Sequence, residues 1–148
     1  MARMMVLEKK LDARVEIVIA QTRQADSPYY RISPSGRVPC LVRDDGAGME
    51  ESALICAYLD QLDGRPIFER PSLEAQRLEA LARSLVDGLS VWGRELTRPG
   101  HEQSPGVIRH EKERNRDLDW RTGHPKLVEW FGGFAARPSF AATAPPRA

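Results

Sequence analysis

The sequence has few residues of the kinds that hold metals. It contains two cysteines and three histidines among 148 residues. Cys40 and Cys56 form neither a CxxC motif nor a metal-ligand spacing. His101 and His110 have no ligand-like partners around them. We therefore expect two buried free thiols and no metal site.

The chain also lacks a large net charge and a long apolar run. Its 22 basic and 21 acidic residues give a net charge of +1, so no uniform field favours nucleic acid or an anionic membrane. No apolar stretch has the length of a bilayer, and residues 1–10 do not follow a secretory signal pattern. These absences predict a cytoplasmic protein without a membrane or nucleic-acid partner.

The most informative stretch covers residues 31–62. A breaker cluster at 33–36 precedes a short apolar strand at 38–42, and residues 44–48 predict a hairpin turn to a second strand at Met49 and Glu50. An amphipathic helix follows, with Ser52 as its expected N-cap. Its apolar positions are Leu54, Ile55, Tyr58, Leu59 and Leu62.

Two features of this stretch exceed what folding requires. Pro39 lies inside the first strand, where an X–Pro bond can be cis and where Val38 offers unpaired backbone groups to a ligand. Glu51 and Ser52 lie at a helix N-terminus, which favours an anion. Together they would hold a short peptide that carries an amine, a carboxylate and an extended backbone.

These residues resemble a known family. The run Gly36-Arg37-Val38-Pro39-Cys40-Leu41, followed by Glu51-Ser52-x-x-Ile55-Cys56-x-Tyr58-Leu59, is similar to the glutathione-binding half of the cytosolic glutathione S-transferases. Residues 135–140 resemble the end of the bacterial members. The resemblance implies glutathione as co-substrate, a small hydrophobic electrophile as its acceptor, and a homodimer.

The resemblance also implies roles for individual residues. Pro39 would be cis, and the backbone of Val38 would pair with the cysteinyl unit of glutathione. Glu51 and Ser52 would hold the γ-glutamyl group, and Arg37 is a weaker candidate for the glycyl carboxylate.

The same resemblance implies an α/β thioredoxin-like N-terminal domain and an all-α C-terminal domain. A linker at 63–71 places these domains at 1–62 and 72–148. We expect a helix at 2–10, a buried strand at 15–19, a helical turn capped by Ser27, and further helices at 72–97, from 104 onward and at 126–136. Leu78, Leu81, Leu85, Trp92 and Leu96 form a stripe typical of a core or a dimer seam. The charged run 109–117 is expected to be solvated.

Two parts of the family pattern are not evident. The family's first strand and the loop with its thiol-activating residue should precede the helix at 2–10, and part of the helical domain should lie near residues 114–117. Tyr29, Tyr30 and Ser33 are the nearby hydroxyls, and none is expected to replace the activator. The sequence therefore predicts a truncated thioredoxin-like domain and a shortened helical domain.

Three functions remain open at this stage. The first is conjugation of glutathione. The second is a non-catalytic family member that acts as a glutathione-binding or protein-interaction module. The third is a thiol-disulfide enzyme, but Cys40 lies within a strand rather than at the start of a helix, where a thiolate would be stabilised.

Overall fold

The structure, a computed structural model, describes residues 1–22, 24–68, 71–115 and 119–144, without the side chains of 111–115. The chain divides into two units. The first consists of Met1–Phe68 with Glu129–Ala148, and the second is Glu69–Val128. The first unit's N-terminal part ends at Phe68, within the segment 63–71 interpreted above as a linker, and the domain bounds 1–62 and 72–148 stay a prediction.

The first unit is built on a hairpin and two helices. Helix α1 is Ala2–Glu8, strands β1 and β2 are Cys40–Val42 and Gly48–Glu50, and helix α2 is Ser52–Gln61. The strands are antiparallel, with Cys40 opposite Glu50 and Val42 opposite Gly48. A short 3₁₀ helix, Pro28–Arg31, begins at Ser27, whose hydroxyl accepts from the Tyr29 amide. The core side chains of this unit are Met5, Val6, Leu11, Ile55, Cys56 and Leu59.

Helix α1 ends in a left-handed residue. The Leu11 amide donates to the Val6 carbonyl at 2.8 Å, and the Lys10 amide donates to the Leu7 carbonyl at 3.1 Å. This pair of bonds is the Schellman pattern, which requires a positive φ at Lys10, and φ is 53° there. Since glycine is the residue that adopts this conformation without cost, Lys10 introduces backbone strain.

A buried lysine ties the end of α1 to the end of α2. The Lys9 ammonium lies 3.5 Å from the Asp60 carboxylate and 2.7 Å from Asp63, and the Lys9 and Asp60 side chains are each 2% exposed. Asp60 also accepts from the amides of Ile67 and Phe68 at 2.9 and 3.1 Å. Burial acts to raise the pKa of Asp60, but these amides and Lys9 lower it below its usual value.

A last helix, α6, is Pro138–Thr143, and the sequence analysis did not predict it. Arg137 precedes it and binds Glu8 of α1, while Phe140 packs edge-on against Phe134 with 5.4 Å between ring centroids. Proline at the first helical position was the available signal.

The strand predicted at residues 15–19 was wrong. These residues have no strand assignment, and the side chains of Ile17, Val18 and Ile19 are 52%, 75% and 91% exposed. Within the described residues the sheet consists of β1 and β2 alone. A β-branched run forms a strand only where a neighbour completes the hydrogen-bond ladder, and here no described strand does so.

The second unit contains helices α3, Leu73–Leu96, and α4, Pro105–Asn115, with a 3₁₀ turn at Gly100–Glu102. Ser72 caps α3 as predicted, since its hydroxyl accepts from the Ala75 amide at 3.1 Å. The Glu95 carboxylate joins the two helices by accepting from the Ser104 amide at 2.8 Å. Helix α5, Pro125–Ala135, spans the boundary of the units.

The apolar stripe of α3 is not a core in this chain. Leu78, Leu81 and Leu85 are 51%, 61% and 54% exposed. The charged run 109–117 lies partly outside the described residues; its first members, Arg109 and His110, are exposed. No helix in the described parts of the chain is long and apolar enough to cross a membrane.

Candidate functional site

The β-hairpin brings the two sequence motifs to one end of the sheet. Cys40 is the first residue of β1, and it pairs with Glu50, the last residue of β2. Pro39 and Glu51 therefore leave the ladder at the same end. The predicted binding residues Val38, Pro39, Glu51 and Ser52 follow each other there along two adjacent chain segments.

Val38 is presented to solvent at this end. Its side chain is 61% exposed, and β1 begins two residues later, so Val38 lies outside the hydrogen-bonded ladder. The Val38–Pro39 peptide bond is cis, as the resemblance implied. Leu41, in the middle of β1, packs against the core of the first unit and so holds the strand that follows Pro39.

The N-terminus of α2 is capped differently from the prediction. Glu51, not Ser52, is the N-cap, and its carboxylate oxygens accept from the amides of Ala53 and Leu54, each at 3.3 Å. The backbone of Glu51 has φ 77°, in the left-handed region. Ser52 is the first helical residue, and its hydroxyl lies 4.0 Å from the sulfur of Met1.

The loop before Val38 is held by residues that the sequence analysis did not assign to the site. The Ser33 hydroxyl donates to Glu50 Oε1 at 2.8 Å, and the Ser35 amide approaches the same oxygen at 3.4 Å. Hydrogen bonds from Ser35 and Ser33 lower the pKa of Glu50. The Tyr29 hydroxyl donates to the carbonyl of Arg37. Sequence reasoning treated Ser33 as a turn residue and Glu50 as a strand residue, because neither stands in a motif.

Within the described residues, the Tyr29 hydroxyl donates to the Arg37 carbonyl and the Ser33 hydroxyl donates to the Glu50 carboxylate. The Tyr30 ring lies beside Gly36. Both cysteines are free thiols; Cys56 is buried as expected, whereas Cys40 is half-buried. No group of three or more His, Cys, Asp or Glu side chains in this part of the chain is arranged to hold a metal ion.

The sequence of this chain is similar to those of known proteins. Residues 1–62 match the model of a family described as "Glutathione S-transferase, N-terminal domain". The uncharacterized GST-like protein YibF of Escherichia coli K12 is 26% identical over 167 aligned positions, which cover 84% of this chain and 83% of YibF. Residues 1–62 are thus similar to the N-terminal domain of the glutathione S-transferases, and the chain as a whole is similar to a GST-like protein.

Solved structures show the glutathione S-transferase fold. A family member from Pseudomonas fluorescens with bound glutathione has a TM-score of 0.79 at 24% identity, with 98% of this chain and 92% of that chain covered. A glutathione S-transferase from Methylobacillus flagellatus with glutathione bound has a TM-score of 0.77 at 23% identity, with 97% and 92% covered. The expected thioredoxin-like domain followed by a helical domain is confirmed.

The match to YibF also bears on the predicted shortening of the chain. The alignment has 167 positions, more than the 148 residues of the chain, so it contains gaps where YibF has residues that this chain lacks. The hairpin places Arg37, Val38, Pro39, Glu51 and Ser52 at one of its ends, and their roles in binding glutathione stay predictions.

Proposed function

We propose that this protein binds glutathione at the end of the hairpin where Pro39 and Glu51 leave the β1–β2 ladder. The observation that carries the proposal is the pairing of Cys40 with Glu50, since it brings the Val38–Pro39 and Glu51–Ser52 segments to a common edge. Support comes from the match of residues 1–62 to the N-terminal domain of the glutathione S-transferases and from the glutathione bound in the structures of similar fold.

The backbone of Val38 would bind the middle of the tripeptide. Val38 lies outside the ladder and is exposed, so its amide and carbonyl can pair with the extended cysteinyl unit of glutathione as a strand residue would. The exposed Arg37 side chain would attract the glycyl carboxylate.

Ser52 and Glu51 would bind the γ-glutamyl end. The Ser52 hydroxyl and the positive end of α2 suit a carboxylate. The Glu51 carboxylate lies at the N-terminus of α2, and its negative charge would pair with the ligand ammonium.

The reaction proposed for this site is transfer of the glutathione sulfur to a small hydrophobic electrophile. We further propose a homodimer that covers the exposed stripe of α3 formed by Leu78, Leu81 and Leu85. Neither the electrophile nor the dimer follows from the hairpin geometry; both follow from the family.

A second candidate is a family member that binds glutathione without conjugating it. The observation that favours it is the engagement of the Tyr29 and Ser33 hydroxyls, which donate their protons to the Arg37 carbonyl and the Glu50 carboxylate. A bound thiol without a donor keeps its ordinary, weakly nucleophilic state near neutral pH.

Two measurements separate these candidates. Calorimetric titration with glutathione tests binding, and the rate of reaction of glutathione with 1-chloro-2,4-dinitrobenzene tests conjugation. Saturable binding with turnover above the uncatalysed rate supports the transferase, and binding without turnover supports the second candidate. Absence of binding to the full chain would overturn both.

A further inference from the structure

The peptide group between Arg37 and Val38 is fixed by side chains that lie outside the family motif. Its carbonyl oxygen, which belongs to Arg37, accepts from the Tyr29 hydroxyl and lies 3.3 Å from the Ser33 hydroxyl. The other half of this planar group is the Val38 N–H, which points opposite to the carbonyl. Anchoring the Arg37 oxygen therefore sets the direction of the Val38 amide.

The Ser33 hydroxyl is in turn held by Glu50 of β2. Ser33 is 0% exposed, and its hydroxyl donates to the Glu50 carboxylate at 2.8 Å, a charge-assisted bond. The Ser35 amide lies 3.4 Å from the same carboxylate oxygen, and the Ser35 hydroxyl accepts from the Arg37 amide at 3.2 Å. The loop is thus bonded to β2 through Ser33 and Ser35, and Arg37 is bonded to Ser35.

The loop conformation leaves little freedom for rearrangement. Gly36 has φ +66°, and a Cβ there would lie 2.9 Å from Cε1 of Tyr30. The Gly36 amide donates to the Ser33 carbonyl at 3.0 Å, which closes a tight turn directly before Arg37. The turn places the Arg37 carbonyl beside the Tyr29 and Ser33 hydroxyls, and these contacts fix the orientation of the Arg37–Val38 peptide.

We infer that Tyr29, Ser33 and Glu50 are positioning residues for the tripeptide: they hold the Arg37–Val38 peptide group in the orientation in which the Val38 N–H meets the ligand. The inference rests on the proposed glutathione site and adds to it three residues that do not themselves touch the ligand. Their effect is on affinity, through the order of a backbone donor.

Three variants of the full chain test the inference. Tyr29→Phe removes one hydroxyl and keeps the ring, Glu50→Ala removes the acceptor of Ser33, and Glu50→Gln keeps an acceptor oxygen without the charge. Glu74→Ala is the control, since it removes an exposed carboxylate that pairs with Arg77 in the second unit. Each protein is titrated with glutathione, and ¹⁵N relaxation gives the order parameters of its backbone amides.

We expect Tyr29→Phe and Glu50→Ala each to weaken glutathione binding by about tenfold, since one hydrogen bond to a buried or charged group contributes on that order. Glu50→Gln should retain most of the affinity, and Glu74→Ala all of it. The order parameters of the Arg37 and Val38 amides should fall in the two weakened variants and stay unchanged in the helices, which separates a positioning role from a general loss of stability.

The outcomes separate a failure of this inference from a failure of the proposed glutathione binding. If the wild-type protein does not bind glutathione, the proposed function fails and the inference fails with it. If the wild type binds and Tyr29→Phe and Glu50→Ala bind equally well, the inference alone is overturned. Weaker binding with unchanged order at Arg37 and Val38 overturns it too. Should Glu50→Ala not fold, Tyr29→Phe and Glu50→Gln decide.

Discussion

The ion pair between Glu8 and Arg137 makes the stability of the first unit depend on pH. Arg137 Nε and Nη2 donate to the two oxygens of Glu8 at 2.9 and 2.5 Å, and the Ser139 hydroxyl donates to the same carboxylate. Hydrogen bonds from Arg137 and Ser139 lower the pKa of Glu8 from 4.5 to about 2. These bonds join α1 to the start of α6, so replacing Glu8 tests how firmly the C-terminal helix is held.

The size of the effect follows from the pKa and the exposure. A shift from 4.5 to about 2 corresponds to about 3 kcal/mol if it is fully realised. Glu8 is 25% exposed and Arg137 is 49% exposed, so solvent screens the pair and we expect about 1–2 kcal/mol. Because the folded-state pKa is the lower one, this stabilisation is present above pH 4.5 and is lost as the pH falls toward about 2.

The test compares the free energy of unfolding of the wild type and Glu8→Gln by urea denaturation at steps from about pH 7 to 3. We expect the variant to be less stable by about 1–2 kcal/mol at pH 7, with the difference shrinking below pH 4.5. Glu74→Gln, at the exposed pair with Arg77, is the control and should show a much smaller difference. A difference that stays constant across this range would refute the reasoning.

Three other substitutions test local features of the first unit. Lys10→Gly should raise the free energy of unfolding by about 0.5–1 kcal/mol in urea denaturation, because φ is 53° at this residue; a loss of stability would contradict this. Asp60→Asn should lower it by about 3 kcal/mol, because the buried Lys9 loses a charged partner, and a loss below about 1 kcal/mol would argue against a buried pair. Gly36→Ala should lower the melting temperature and weaken glutathione binding, since its Cβ would meet the Tyr30 ring at 2.9 Å; an unchanged affinity would show that the turn before Val38 is not critical.

The hairpin and helix α2 were predictable because their signals are local. The Asp45 side chain accepts from the Ala47 amide at 3.0 Å, and Gly46 has φ +82°, as the turn residues required. The apolar spacing of α2 placed Ile55 and Leu59 in the core correctly. The cap differed, since a glutamate one residue earlier took the role expected for Ser52. Leu54, on the expected apolar face, is 54% exposed, and the strand predicted at 38–42 begins at Cys40.

The contacts that hold the site and the first unit together were not predictable, because each joins residues far apart in sequence. Ser33 and Glu50 are 17 positions apart, and Arg137 and Glu8 are 129 apart. Charged and hydroxyl residues are common on any surface, so their pattern did not indicate which would be paired. Residues 15–19 show the converse error. Their β-branched composition predicted a strand, but a strand also requires a neighbouring strand to pair with, and these residues form none.

The central claim is that glutathione binds where the Val38–Pro39 and Glu51–Ser52 segments meet. The most direct measurement is an ¹⁵N–¹H titration of this chain with glutathione, in which each backbone amide reports its own change in environment. The account predicts saturable shifts concentrated at Arg37, Val38, Cys40 and Ser52. Saturable shifts confined to other parts of the chain, or no shifts at millimolar glutathione, would contradict it.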